Sequence, residues 1–363
     1  MSNRRIPAPL ACWLLAIWLF GPLLVPIPRA AVDTLPDRLD DKEFWQIAQG
    51  FSERPGTFGS DNLLSNEGAL QEVIPDLVRA VKPHGVYLGV GPEQNFTYIA
   101  ALKPRMAFIV DIRRGNFNTH LMYKALFELS ADRAEFVSRL FSKTRPDGLG
   151  AASTVGEIFD AYLEVQSSDA LYSQNMRAIV NHLVKTHGFQ LGADDLLRLQ
   201  HVYRAFYAYG PAIQYSSTQT AGRRRTNEPS YRDLMLATDR GGQPRSYLSS
   251  EETFQFLKNF ESQNLLVPVI GNFAGSKAIR AIGDYLKTKG VPVSVFYVSN
   301  VEEYLRQDGL WPDFCANVAM LPIDDASVFI RSVRGGDASP LPVFGLHSEL
   351  ETMSARMSSC ASN

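Results

Sequence analysis

Apolar runs of two kinds alternate along this chain, and the alternation predicts its architecture. GVYLGVG (85–91), RMAFIVDI (105–112), NLLVPVIGNFAG (264–275) and VPVSVFYVSN (291–300) are nearly continuous and bounded by Gly, Pro or charge. That is the pattern of strands buried on both faces. Between them the apolar positions recur at helical spacing. Ser65 to Val81 places Leu70, Val73, Ile74, Leu77 and Val78 on one face behind a Ser cap,. Asn118 to Phe141 does the same with Leu121, Leu126, Phe127, Phe136 and Leu140, and Ser276 to Gly290 reads as a helix with a Ser cap and a Gly stop,. Two strands about thirty residues apart and joined by a helix make a βαβ unit. ANVAMLPI (316–323) and ASVFIRSVR (326–334) are expected as the last strands or a hairpin.

From about 155 to 210 the pattern is helical throughout, with three helices in VGEIFDAYLEV, MRAIVNHLVKTHG and DDLLRLQHVYRAFYAYG. This is long for a crossover, so residues 150–215 or so are expected to form a helical insertion. SSTQTAGRRRTNEPS (216–230) reads as an exposed or mobile loop,. The expectation is an α/β fold: a methyltransferase-like Rossmann three-layer sandwich with a mostly parallel sheet, spanning 63–348. Residues 32–62 form a lead-in with a short amphipathic helix at Asp40 to Phe51, and the Ser- and Met-rich tail 349–363 is expected to fray,.

Residues 1–31 differ from the rest. Arg4 and Arg5 precede an apolar stretch from Leu10 to about Ile27, and Asp33, Asp37, Asp40 and Asp41 follow it. This is the layout of a secretory signal peptide, with an uncleaved anchor as the alternative. The charge bias keeps the N-terminus in the cytoplasm and the body outside, periplasmic or held on the outer face of the membrane.

Composition narrows the chemistry. The chain of 363 residues is 45% hydrophobic with a formal net charge of -2, which gives no reason to expect nucleic acid,. The run Arg223-Arg224-Arg225 is too short to change that. Cys12, Cys315 and Cys360 form no CxxC, and the six His contain no HxxxH, so no metal is expected,. We expect unpaired thiols at Cys315 and Cys360, with a disulfide between them as the alternative in an oxidising compartment.

In a parallel sheet, ligands bind at the C-terminal strand ends. Gly89 and Gly91 let the backbone turn tightly there and approach a ligand, and the following helix would point free N–H groups at it. Asp111 closes the next apolar run, where a carboxylate can accept hydrogen bonds from vicinal ribose hydroxyls or pair with Arg113 or Arg114. Gly271-Asn272-Phe273 and Tyr297-Val298-Ser299-Asn300 place amides at two later strand ends. The glycine loop is not a G-x-G-x-x-G phosphate fingerprint, because its sixth position is Gln94,.

This spacing resembles the first two motifs of the class I S-adenosylmethionine-dependent methyltransferases, whose first strand ends in a glycine loop and second in an acid. The chain also resembles a family of uncharacterised bacterial proteins with a methyltransferase-like core, through YLGVGPEQNFTYIAALKPRMAFIVDIRRGN, VPVIGNFAGSKAIRAIGDYL and FYVSNVEEYL. The resemblance implies a cofactor pocket at Gly89, Gly91, Asp111 and the adjoining Ile112, with Asn272 facing the reacting centre. Tyr87 and Leu88 stand where the family usually has an acid before the glycines, and Glu93 in the loop could stand in for it. Methyl transfer needs mainly alignment of acceptor and sulfonium. Asn272 could orient the acceptor, and Tyr297 or Glu302 could accept a proton. The implied partners are a small-molecule ligand or methyl acceptor, with a membrane only through an uncleaved N-terminus. The alternative is an exported, non-catalytic binding protein descended from such an enzyme. A hydrolase is disfavoured, since no G-x-S-x-G occurs and Ser276 fits a helix cap.

Overall fold

The computed structural model describes residues 33–219, 228–334 and 346–360. The expected signal or anchor segment, Cys12 and the arginine run lie outside them. The described residues form one compact unit. In chain order its elements are α1 (Asp41–Phe51), α2 (Ile74–Ala80), β1 (Val86–Gly89), α3 (Gln94–Leu102), β2 (Met106–Asp111), α4 (Arg114–Leu129) and α5 (Arg133–Phe141). Then follow α6 (Val155–Ala161), α7 (Asp169–Asn181), a π turn (His182–Thr186), α8 (Ala193–Tyr209), α9 (Tyr231–Leu236) and α10 (Glu251–Ser262). The chain closes with β3 (Leu266–Ile270), α11 (Ala278–Lys289), β4 (Val293–Ser299), α12 (Val301–Gln307), α13 (Trp311–Val318), β5 (Val328–Arg334), β6 (Leu346–Thr352) and α14 (Met353–Cys360). No helix among the described residues is long and apolar enough to cross a membrane.

The six strands form one sheet in the order β3-β2-β1-β4-β5-β6, parallel except for β6, which pairs antiparallel with β5. The order reverses direction between β1 and β4. Every residue of β1, β2 and β3 is buried, so both faces of the sheet are covered there, as their unbroken apolar runs require,. All helices from α4 to α10 lie between β2 and β3, including the three expected from 155 to 210. An aromatic cluster of Phe96, Phe127, Phe136, Tyr247 and Phe254 fastens α3, α4, α5 and α10 together.

Several expectations are corrected. The helix expected from Ser65 starts only at Ile74, with Pro75 in its first turn; Gly68 to Val73 form consecutive turns. The helix expected from Asn118 to Phe141 breaks at Ser130, and the Asp132 carboxylate, accepting from Glu135 N, caps a second one. Residues 316–323 are not a strand but the end of α13 and a turn. Trp311, Phe314, Cys315 and Val318 occupy helical spacing on its buried side. The hairpin is instead β5–β6. The tail does not fray through residue 360: it forms α14, and Cys360 is disulfide-bonded to Cys315 of α13. The thiols expected to be free are therefore paired. In the 216–230 loop, Ser216 and Ser217 are buried rather than exposed.

The lead-in belongs to the body. Leu39 N–H bonds Gln263 O, Glu53 N–H bonds Ile270 O and Gly56 N–H bonds Ile112 O, so the segment runs along the ends of β2 and β3. Glu53 also supplies the cap of α11. Its Oε1 accepts from Lys277 N and Ala278 N, each at 2.8 Å, and its Oε2 from Asn272 N at 3.2 Å. Ser276 is not the cap; a carboxylate more than two hundred residues upstream takes that part.

Candidate functional site

A cavity of about 1210 Å³ opens at the C-terminal ends of β1 to β4, beside the reversal of strand order. Each strand end contributes a short stretch: Val90 to Pro92, Asp111 to Arg113, Gly271 to Phe273, and Ser299 to Val301. The lead-in and the turns after it add Thr57 to Ser60, Asn62 and Leu64 to Glu67, and Tyr215, Glu228, Tyr304 and Leu346 come from segments further along the chain.

The loop after β1 is fixed by its own side chains. Asn95 donates from Nδ2 to Val90 O, Gly91 O and Pro92 O at 3.0, 3.2 and 2.8 Å, while its Oδ1 accepts from Tyr87 Oη at 2.8 Å. Gly89 lies under this knot: a Cβ there would stand 2.0 Å from Asn95 Oδ1 and 2.8 Å from the Tyr87 ring. Its role is close packing, and it does not line the cavity. Gly91 does, with φ of +81°. Its carbonyl also accepts from His120 Nε2 at 2.8 Å. Burial, with Arg113 nearby, outweighs that bond and Asp111 to push the His120 pKa down to about 4, so the ring is neutral.

Asp111 reaches the cavity wall as an ion pair. Arg113 donates to it from Nη2 (2.6 Å, to Oδ2) and from Nε and its backbone N (2.9 Å each, to Oδ1), and both side chains are nearly buried. Arg113 Nη1 also bonds Asp61 O. Of the two partners expected for Asp111, the structure selects Arg113; Arg114 instead grips Asp195 of α8 with two bonds, 2.7 and 2.8 Å. Ile112 lines the cavity beside the pair.

Glu93 does not face the cavity. Its carboxyl is fully buried on the other side of the loop, accepting from Ser65 N at 3.1 Å, and its Oε2 has no partner among the described residues. Burial pushes its pKa up to about 8, against the Ser65 bond. It cannot replace the acid missing before Gly89, and this expectation is corrected.

Asn272 does line the cavity, but its Oδ1 is used by Ala274 N at 2.9 Å, leaving the amide to act there as a donor. Tyr297 is fully buried one layer behind the wall. Its hydroxyl donates to Glu67 Oε1 at 2.6 Å and accepts from Gln94 Nε2 at 3.2 Å. Burial and the neighbouring Glu67 raise its pKa well above the usual phenol range, which suits a hydrogen-bond relay and not a proton acceptor. Glu302 pairs with Arg331 and Arg356.

The acid that sequence reasoning missed is Glu67. It lines the cavity and is held, among the described residues, by hydroxyls: Tyr297 and Ser299 (2.7 Å) on Oε1, Ser348 (3.4 Å) on Oε2. Two exposed aromatic rings mark the mouth, Phe58 from the lead-in and Tyr304 from α12, edge to face with centroids 5.4 Å apart.

Fold and site together define an α/β protein with a mostly parallel sheet and one large cavity at the strand ends. The chain belongs to the family described as "Domain of unknown function (DUF7790)", which it matches over residues 63–152 and 172–356. Between the two matched stretches lie α6 and the first residues of α7. Comparison with curated proteins finds no match.

Proposed function

We propose that the body is a Rossmann-like, methyltransferase-type domain whose strand-end cavity binds a nucleoside-bearing small molecule, S-adenosylmethionine in the first instance. The observation that carries this reading is the placement of the cavity. It sits at the C-terminal ends of parallel strands, where the order 3-2-1-4-5-6 reverses, which is the ligand position of dinucleotide-binding folds,. Its volume, somewhat above the usual range for small-molecule pockets, leaves room for such a ligand,. Gly91 admits the ligand close to the backbone, Ile112 and the Phe58–Tyr304 pair offer apolar surface to a planar base, and Asn272 donates to an acceptor oxygen. Asp111 meets the ribose as a half of its ion pair, with Arg113 sharing the carboxylate. Glu67 Oε2 accepts from an ammonium or hydroxyl of the ligand.

A second reading keeps the cavity and removes the chemistry: an exported binding protein without methyl transfer. The Asp111–Arg113 pair favours it, because three donors already occupy the carboxylate. Export itself is supported by the N-terminal sequence and by the Cys315–Cys360 bond, since disulfides persist in oxidising compartments,.

Thermal-shift titration with S-adenosylmethionine and S-adenosylhomocysteine tests the cofactor, because a ligand at a hundred times its Kd stabilises the fold by about 2.7 kcal/mol. No shift at millimolar ligand removes the methyltransferase reading. An alkaline-phosphatase fusion near residue 40 tests export; an inactive fusion would place the protein in the cytoplasm.

A further inference from the structure

At the end of α4 remote from the cavity, three side chains aim at one point. Glu128 of α4 and the two histidines that bound the π turn, His182 and His187, bring ligand-type atoms within 4.8 Å of one another. Both Nε2 atoms stand against the same carboxylate oxygen, at 2.5 Å for His182 and 2.6 Å for His187. At about 1.5 Å per residue, α4 separates this cluster from Arg114 at the cavity side by about 20 Å.

The backbone is shaped for this convergence. On an α-helix, positions five apart point about 140° away from each other. The wider π turn, closed by His187 N–H bonding His182 O at 3.0 Å, returns the two imidazoles to one side. Such single π turns recur at functional sites.

The surroundings are ordered in the same sense. His187 Nδ1 lies 2.7 Å from Asp41 Oδ1, and Asn264 Nδ2 holds that oxygen at 2.9 Å. Lys124 holds the outer oxygen of Glu128 at 2.7 Å. A carboxylate on Nδ1–H fixes the tautomer and turns the Nε2 lone pair inward, the outer arrangement seen around metal-bound histidines. Here that lone pair faces an anionic oxygen at 2.6 Å, a contact that repels unless a cation lies between them. The cation is a proton or a metal ion. Convergence of a second imidazole on the same oxygen favours the metal, because two imidazoles and one carboxylate make a three-ligand set that leaves a fourth position for water. Asp41 and Glu128 together outweigh the charge of Lys124, so a dication meets a net negative site.

We propose that Glu128, His182 and His187 bind a divalent transition-metal ion of the zinc class, oriented by Asp41 and Lys124, with water as fourth ligand. Metal–ligand bonds near 2.0–2.1 Å set tetrahedral ligand atoms roughly 3.3 Å apart, so each Nε2 would move off the carboxylate oxygen by less than about 1 Å,. The ion would join the lead-in helix α1, the core helix α4 and the helical insertion.

Untagged protein, stripped with a chelator, is titrated with Zn²⁺ by calorimetry and with Co²⁺ by visible absorption. The expected result is one equivalent bound, a tetrahedral Co²⁺ spectrum, and a Tm that falls on chelation and recovers with Zn²⁺. His182→Gln and His187→Gln each weaken binding at least ~100-fold, and Asp41→Asn, outside the ligand set, weakens it ~10–100-fold with the spectrum kept. His201→Gln, on the exposed pair with Asp61, leaves it unchanged. No stoichiometric uptake by the wild type overturns the proposal, as does equal uptake by wild type and His187→Gln; a proton then holds the cluster. If the histidine variants do not fold, wild-type stoichiometry together with Asp41→Asn decides, and unchanged affinity in Asp41→Asn counts against the site.

Discussion

At its N-terminal end α4 borders an open cavity in whose wall Asp111 is already paired with Arg113. At its C-terminal end it carries a carboxylate oxygen on which two imidazoles converge at 2.5 and 2.6 Å. In the cavity, Asp111 takes its cation from two residues away and Glu67 accepts, among the described residues, from neutral hydroxyls, so the ligand we propose there would have to bring its own polar groups. In the cluster, Asp41, Glu128, His182 and His187 come from three separate segments and converge so closely that a small spread would admit a single ion and nothing larger. One helix therefore presents a molecule-sized site and an ion-sized site, and the spacing of charge around each shows which is which.

The contrast is tested most severely by removing one cation from each end. Lys124 is almost wholly buried against Glu128 and the Glu261 carbonyl. Lys124→Met takes the ammonium away from a buried carboxylate oxygen and is expected to cost about 3–5 kcal/mol in urea unfolding,. Arg113→Met leaves Asp111 facing the open cavity, where solvent can reach it, so its loss is expected nearer about 1–2 kcal/mol,. Equal losses would erase the distinction.

A pH series examines both regions together, since each holds a buried acid. Burial pushes Glu93 and Glu261 each up to about 8, in the second case with Lys124 opposing and Glu128 assisting. The folded state thus keeps protons that the unfolded chain, near 4.5, releases. Stability from these groups is complete below about pH 4.5 and is lost as pH rises through 8. Glu93→Gln or Glu261→Gln should each flatten about half of that fall, by up to a few kcal/mol; a curve unchanged by both would show that neither carboxyl is held neutral.

Smaller effects sharpen the cavity side. Gly89→Ala pushes into Asn95 and Tyr87 and should cost about 1–3 kcal/mol,. Gly91→Ala, at positive φ but meeting only the flexible end of Gln94, should cost about 1 kcal/mol,. The smallest stability change, within about 0.5 kcal/mol, is expected for Tyr304→Ala at the exposed mouth. The same variant should weaken ligand binding several-fold; intact affinity would move the base away from the Phe58–Tyr304 pair.

Of the five parallel strands, β1 to β4 were the plainest in the sequence, because burial on both faces leaves nearly unbroken apolar runs,. Asp111 was correctly placed at a strand end, but whether its carboxylate met a ligand or Arg113 depends on a side-chain direction that spacing does not carry. The helix α13 was missed because reading began at Ala316, past Trp311 and Phe314, which set its period. Glu67 was hidden inside what read as the first turn of a helix. It reaches the cavity only because consecutive turns replace that helix and because Tyr297, Ser299 and Ser348 receive it from distant segments. The pairing of Cys360 depended in the same way on β6, which folds the tail back onto α13. The His182–His187 spacing of five carries no helical signature, since a π turn is not visible in apolar periodicity.

Calorimetric titration of the purified protein with S-adenosylhomocysteine tests the central claim most directly. The cavity assignment predicts saturable one-to-one binding that Glu67→Gln weakens about tenfold and His187→Gln leaves unaltered. Absence of heat at millimolar ligand, or binding indifferent to Glu67 and Tyr304 alike, would contradict it.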